Sequence, residues 1–321
     1  MRRAGDRVRI TAQLIETETG AHVWADRFDS AIEHIFDMQD EITASVVGAI
    51  EPQLRDAELI RAARHRPTEP TAYDCFLRGM ARYFSDSREE NDATMRLLRR
   101  AIASDPDFAP PYALAAICHV HRVIQGWSEN PRADCQLGTE RARTAVRLGS
   151  SDPTVLALAG YSLGFLAHEH DLALSLTERA LSLNPNSATA LQLAGGARLL
   201  AGDPEAAMTY FLRGAKLNPI DPKRFILDSG LARACLMLGR NEEAVIWARK
   251  SRGSAPHWIF ALIPLAGALA MLGSREEARA TVEQFLAHVP NYSMTHEISL
   301  YKPNPARDTL AAALAMAGFP P

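Results

Sequence analysis

From Arg7 to Ile15 apolar and polar residues alternate, with Val8, Ile10, Ala12 and Leu14 on one side and Arg7, Arg9, Thr11 and Gln13 on the other. A period of two predicts a strand with one buried face. Glu16 to Gly20 reads as a turn, and about His22 to Phe28 as the returning strand of a β-hairpin. The period then lengthens. Phe36, Ile42, Val46, Ile50 and Leu54 mark the apolar stripe of an amphipathic helix. Its basic end at Arg61, Arg64 and Arg66 suits a helix C-terminus, and Pro67 stops it. Thr68 to Thr71 forms a short linker between this helix and the next segment.

From Ala72 onward the pattern is helical and it repeats. In the stretch Asn184 to Pro219, Leu191, Ala194, Gly195 and Arg198 share one helix face, Gly202 and Pro204 break the chain, and Ala207 and Phe211 open the buried face of a second helix. Pro106, Pro153, Pro185, Pro219, Pro256 and Pro290 close successive helix pairs, at intervals of 47, 32, 34, 37 and 34 residues. The surplus in the first interval falls in IQGWSENPRADC, residues 124 to 135, which reads as a loop. Gly202, Gly239 and Gly273 mark the turn within each pair and keep the same register, and His168 holds that place one unit earlier. The count is six helix pairs. At the end of the chain, Asn304 as N-cap, Pro305 and Gly318 bound a last helix with Leu310, Ala313, Leu314 and Ala317 on one face, expected to cover the open end of the stack.

The order of large residue, small residue with Gly, Ala-x3-Phe and terminal Pro resembles the tetratricopeptide repeat. The resemblance implies a mainly α protein, a right-handed α-solenoid in which the first helix of each pair lines a concave groove. The repeat register places Val155, Leu158, Phe165, Gln192, Leu199, Ser229, Arg233, Met237, Phe260 and Met271 on that groove. They are mostly apolar, which suits an amphipathic helix of a partner protein or of the chain itself. Chaperone-binding members of the family grip a terminal carboxylate with Lys and Asn. The equivalent positions here hold Gln192, Gly196, Ser229, Arg233, Ile263 and Gly267, of which only Arg233 could serve.

The first residues carry a second resemblance. VRITAQLIETETGAHVWADRFD, followed by IFDMQDEI, is similar to the closing part of the TolB-like amino-terminal domain that precedes tetratricopeptide repeats in bacterial regulators, including some headed by class III adenylate or guanylate cyclase domains. That implies a partial α/β domain over residues 1–66, ahead of a solenoid at 72–303 and a capping helix at 304–321. A lone hairpin has open edges. It is expected to dock on the first repeats, to pair with upstream strands, or to pair with a second copy in a homodimer.

Composition changes this picture little. Net charge is −3, from 35 basic and 38 acidic residues, so neither nucleic acid nor an anionic membrane is expected as a partner. Cys75, Cys118, Cys135 and Cys235 are too dispersed for a zinc or redox motif and read as small helix residues in a reducing compartment. His119 and His121 lie two apart on a helix and so on different faces, and His168 with His170 sits in a turn; no metal is expected at either. No phosphate loop, nucleophile elbow or zinc-protease motif occurs, and no cofactor is expected. No apolar run approaches the ~20 residues of a membrane helix, which points to a cytoplasmic protein. The reading is a non-catalytic interaction module; the alternative is the regulatory portion of an adenylate cyclase or transcriptional regulator.

Overall fold

The computed structural model describes residues 2–4, 7–15, 22–31, 70–83, 87–217, 221 and 223–321. The predicted helix of residues 36–66 and the turn at 16–20 lie outside them. Three strands are described, β1 (Arg2–Ala4), β2 (Arg7–Ile15) and β3 (His22–Ala31), in an antiparallel sheet of order β1-β2-β3. Ile10 stands opposite Phe28 and Leu14 opposite Trp24, with an irregularity between Leu14 and Ile15. The sequence predicts a two-stranded hairpin; β1, paired Arg2 to Arg9 and Ala4 to Arg7, is the correction. Three residues are too few for a period of two to register.

The rest of the described chain is helical. Six antiparallel pairs follow one another: α1 (Ala72–Tyr83) with α2 (Arg88–Ser104), α3 (Ala109–Ile124) with α4 (Pro131–Leu148), α5 (Pro153–Ala167) with α6 (His170–Leu183), α7 (Ala188–Leu200) with α8 (Pro204–Leu217), α9 (Arg224–Met237) with α10 (Asn241–Ser254), and α11 (Leu262–Met271) with α12 (Arg275–Leu286). They stack as an α-solenoid of tetratricopeptide type. Helix starts are fixed by short polar side chains that accept orphan backbone N–H groups: Ser87 from Glu90, Asn130 from Ala133, Asp152 from Thr154 and Val155, Ser187 from Ala190. Pro131 and Pro153 stand in the first turn, where a missing N–H does no harm. The region predicted as a loop to Cys135 is shorter, because α4 begins at Pro131.

Within each pair the helices meet on small residues. Ala101, Ala142, Ala173, Ala180, Ala207, Ala244 and Ala248 have no exposed surface. At Gly195 the approach is closest: a Cβ there would stand 2.5 Å from the ring of Phe211 on α8. The intrapair turns need a left-handed residue, which Gly202 supplies with φ 81° and His168 with φ 57°. A non-glycine residue in that region is uncommon, and His168 occupies it as the C-cap of α5.

Two more helices close the described chain, α13 (Met294–Ser299) and α14 (Pro305–Ala317). α14 packs mainly on α11 and α9, the first helices of their pairs, and only lightly on α12. A Cβ on Gly267 of α11 would stand 3.3 Å from that of Ala313. The helix therefore lies on the concave side of the last two pairs, whereas the sequence predicts it over the end of the stack. The end itself is covered by rings: Phe285 of α12 packs edge-on to Tyr292 at 5.0 Å and to Phe319 at 5.8 Å.

Candidate functional site

The first helices of the first five pairs stand side by side and enclose a groove of about 470 Å³. α1 contributes Phe76, Leu77 and Met80, α3 Leu114 and Ile117, α5 Leu158 and Phe165, α7 Gln192 and Leu199, and α9 Ile226 and Ser229. Helical spacing of three or four residues brings these side chains to one face of each helix. Tyr73, Tyr83, Tyr161 and Trp258 border it, and each presents an apolar ring with a polar tip.

Seven of the ten predicted groove residues line this space: Leu158, Phe165, Gln192, Leu199, Ser229, Arg233 and Phe260. Three do not. Val155 and Met237 are core residues, 1% and 2% exposed, while Met271 lies exposed at the end of α11. A register counted in units of 34 slips by a fraction of a helical turn where the real interval is 32 or 37, enough to rotate a residue from groove to core.

Polar groups are set into this largely apolar wall, among them His121, Tyr161, Gln192, Ser229 and Arg233. The His121 ring stacks on Tyr83 with centroids 5.1 Å apart, and Nε2 lies 3.4 Å from the Tyr83 hydroxyl. Burial lowers the His121 imidazole to about 4, so it is neutral near pH 7. Burial also pushes the Tyr161 phenol up to about 12. Arg233 is the groove's basic centre, but it is not open: its Nη1 donates to Glu297 Oε1 and, at 2.8 Å, to the Tyr301 hydroxyl. Glu297, Leu300 and Tyr301 come from the segment after the last pair and wall the groove at that end. Periodicity does not reveal them, because they belong to no repeat.

Neither of the two other predicted histidine places, His119 and His168 with His170, lies among the residues that line the groove. His119, 5% exposed, holds Asp134 through Nδ1 at 2.6 Å. Ser128 donates to the same carboxylate, and Arg122 lies beside it at 3.4 Å, which fastens the loop between α3 and α4. Burial lowers the His119 imidazole against the opposing pull of Asp134. His168 and His170 meet ring edge to face at 6.1 Å. Among the described residues no three His, Cys, Asp or Glu side chains converge as a metal site. Nor is any described helix long and apolar enough to cross a membrane.

The chain matches no protein-family model. Over 162 residues it is 32% identical to "Putative adenylate cyclase 3" of Rhizobium meliloti (strain 1021), a match that takes in 50% of this chain and 28% of that protein. The chain thus spans little more than a quarter of that relative's length. Among solved structures it is similar to the human IFIT1 dimer with m7Gppp-AAAA, at TM-score 0.57 and 14% identity over 71% of this chain and 53% of that one. The APC/C hetero-tetramer Cut9-Hcn1 follows at TM-score 0.53 and 16% identity, with 76% and 43% covered. A thermophilic TPR protein of Thermus thermophilus matches at TM-score 0.46 and 20% identity, over 62% of this chain and 98% of that one.

Proposed function

We propose that this chain is a protein-interaction module whose open groove, between α1 and α9, receives an amphipathic helix of a partner protein. The observation that carries the reading is the groove's make-up: a largely apolar trough on the concave face, with its arginine already paired to Glu297. A charged extended tail would find little to hold it, whereas an apolar helical stripe buries against such a wall. The chain itself provides an example, since α14 seats Leu310, Ala313, Leu314 and Ala317 on the same concave side. The solenoid fold is suited to assembly.

The test is affinity capture with the parent chain and with Gln192→Arg and Ile226→Arg, two half-buried groove positions that leave the core intact. A partner retained by the parent and lost by both variants, at unchanged thermal stability, supports the groove. A partner retained equally by all three puts the interaction elsewhere.

A second reading is favoured by the similarity to the Rhizobium protein: the chain acts as the regulatory portion of a larger adenylate cyclase, and its TolB-like beginning belongs to that arrangement. An antibody to the solenoid, used on the source cells, decides it. A band well above 35.2 kDa supports the fused form, and a band at that mass opposes it.

A further inference from the structure

The groove is closed at one end and carries polar side chains that the fold does not use. Residues 294–302 form a strap across that end. The Met294 N–H donates to the Pro320 carbonyl and the Lys302 N–H to the Leu200 carbonyl at the end of α7, both at 2.8 Å. Leu300 and Tyr301 are each 5% exposed, so the strap belongs to the core and gives the groove a built wall.

Three uncharged polar side chains from three successive first helices line the space beside this wall: Tyr161 of α5, Gln192 of α7 and Ser229 of α9. Gly196 lets Tyr161 lie against α7, since a Cβ there would stand 2.7 Å from the ring. Burial raises the Tyr161 phenol, and the smaller, opposed pulls of Arg233 and Glu297 place its hydroxyl near that pair. Ser229 stands one turn before Arg233 on the same face of α9. It is 7% exposed, yet among the described residues its hydroxyl makes no hydrogen bond, and neither does the Tyr161 hydroxyl or the Gln192 amide. Trp258 Nε1, also on the lining, is buried without an acceptor. Buried polar groups left unpaired cost free energy that a bound hydrogen-bonding group recovers.

Charge gives the ligand its character. The charged residues of the described lining are Asp221, Lys223, Arg233 and Glu297, two of each sign, and the last two pair with each other. His121 adds no charge near pH 7. An ion entering this space sheds its water and meets no free counter-charge. The volume of about 470 Å³ lies in the ~300–1,000 Å³ range of small-molecule sites, which combine an apolar lining with a few convergent polar groups. We propose that the groove is also a receptor site for a small uncharged molecule: an elongated apolar body lies along the wall, and one amide or hydroxyl head bonds Tyr161, Gln192 and Ser229. This goes beyond the partner helix, and it leaves the strap and the Arg233 to Glu297 pair in place.

Calorimetric titration of the full chain tests this with three probes that share one alkyl chain and differ in the head: decanamide, decanoate and decylammonium, each below its micellar concentration. Decanamide is expected to bind about tenfold more tightly than either ion, because an unpaired charge costs more to bury than an amide. Tyr161→Phe with Ser229→Ala should lower its affinity about tenfold through the loss of two hydrogen bonds. The thermal midpoint should stay where it was, since neither hydroxyl is bonded in the fold. No binding, equal binding of the three probes, or a preference for decanoate would overturn the site, as would a double variant that keeps the parent's affinity. A double variant that fails to fold would overturn it too, since the hydroxyls would then be committed to the fold. Failure of the interaction reading is separate: it would appear as partner capture indifferent to Gln192→Arg and Ile226→Arg, whatever decanamide does.

Discussion

At the scale of the residue, the stack depends on positions where a side chain is missing. Phe211 is wedged between two helices, since a Cβ on Gly195 would meet its ring at 2.5 Å and one on Gly230 at 2.6 Å. Gly195→Leu should therefore destabilise the chain by about 1–3 kcal/mol through overpacking. Thermal unfolding checks this, and the cost should shrink in a Phe211→Leu background because the two sites share one space. Gly195 and Phe211 were legible in the sequence as the small residue and the Phe of the Ala-x3-Phe pattern within one unit. The contact of Phe211 with Gly230 was not, for it crosses from one pair to the next and no spacing within a unit shows it. Titration gives a second expectation. His121 is held near 4 in the fold against about 6.5 in the open chain, and the His119 imidazole is lowered as well. Above 6.5 both states are neutral and the groups contribute no pH dependence. As pH falls from 6.5 toward 4 the unfolded chain takes up protons that the folded chain refuses, so stability is lost across that window. His121→Gln should flatten the decline in denaturant midpoints measured over that range.

At the scale of the element, α14 shows what a one-dimensional pattern can and cannot specify. Its limits were readable, since Asn304 caps it, Pro305 opens it and Gly318 ends it at φ 91°. Its apolar stripe was readable too. The surface beneath it was not, because an amphipathic stripe states that a face is buried without stating against what. The deciding features are distant: Gly267 leaves room for Ala313, and Gly202 leaves room for Asn304, whose Nδ2 would lie 1.8 Å from a Cβ at that turn. The repeat helices were legible for the opposite reason, as each is bounded by caps and prolines within a unit that packs on its own neighbours. Removing residues 305–321 should bare the concave faces of α9 and α11, including Gly267, and lead to self-association. Light scattering reads the outcome. A truncated chain that stays monomeric at the parent's stability would mean that α14 covers no essential surface.

At the scale of the whole molecule, the strap changes how the solenoid should unfold. Contacts in a linear repeat array run between neighbours, so stability is a sum of unit and interface terms, and the array can come apart in stages. Here bonds close far longer loops: Asn304 to Gly202 spans 102 residues, Arg233 to Glu297 spans 64, and Lys302 to Asp171 spans 131. They tie the fourth and fifth pairs to the end of the chain, the exposed Lys302 to Asp171 pair adding little, so that the stack from α7 to α14 is stapled by its own tail. Ordering that tail is favourable only when these pairs are all in place, which is the condition for cooperative loss. The expectation is one shared transition for α7 to α14 in urea, with α1 and α2 free to melt apart from it. Asn304→Ser with Arg233→Gln cuts the ties to Gly202 and Glu297 while leaving the helices and their caps. That chain should split the shared transition in two and lower the apparent m-value of each part, since each exposes less surface. Hydrogen exchange followed by helix, alongside circular dichroism, distinguishes the cases: in the parent, α7, α9 and α11 should open together, and in the variant α7 should open before α11. A single transition of unchanged slope in both chains would show that neighbour contacts alone supply the cooperativity, with the strap lying on a stack that holds without it.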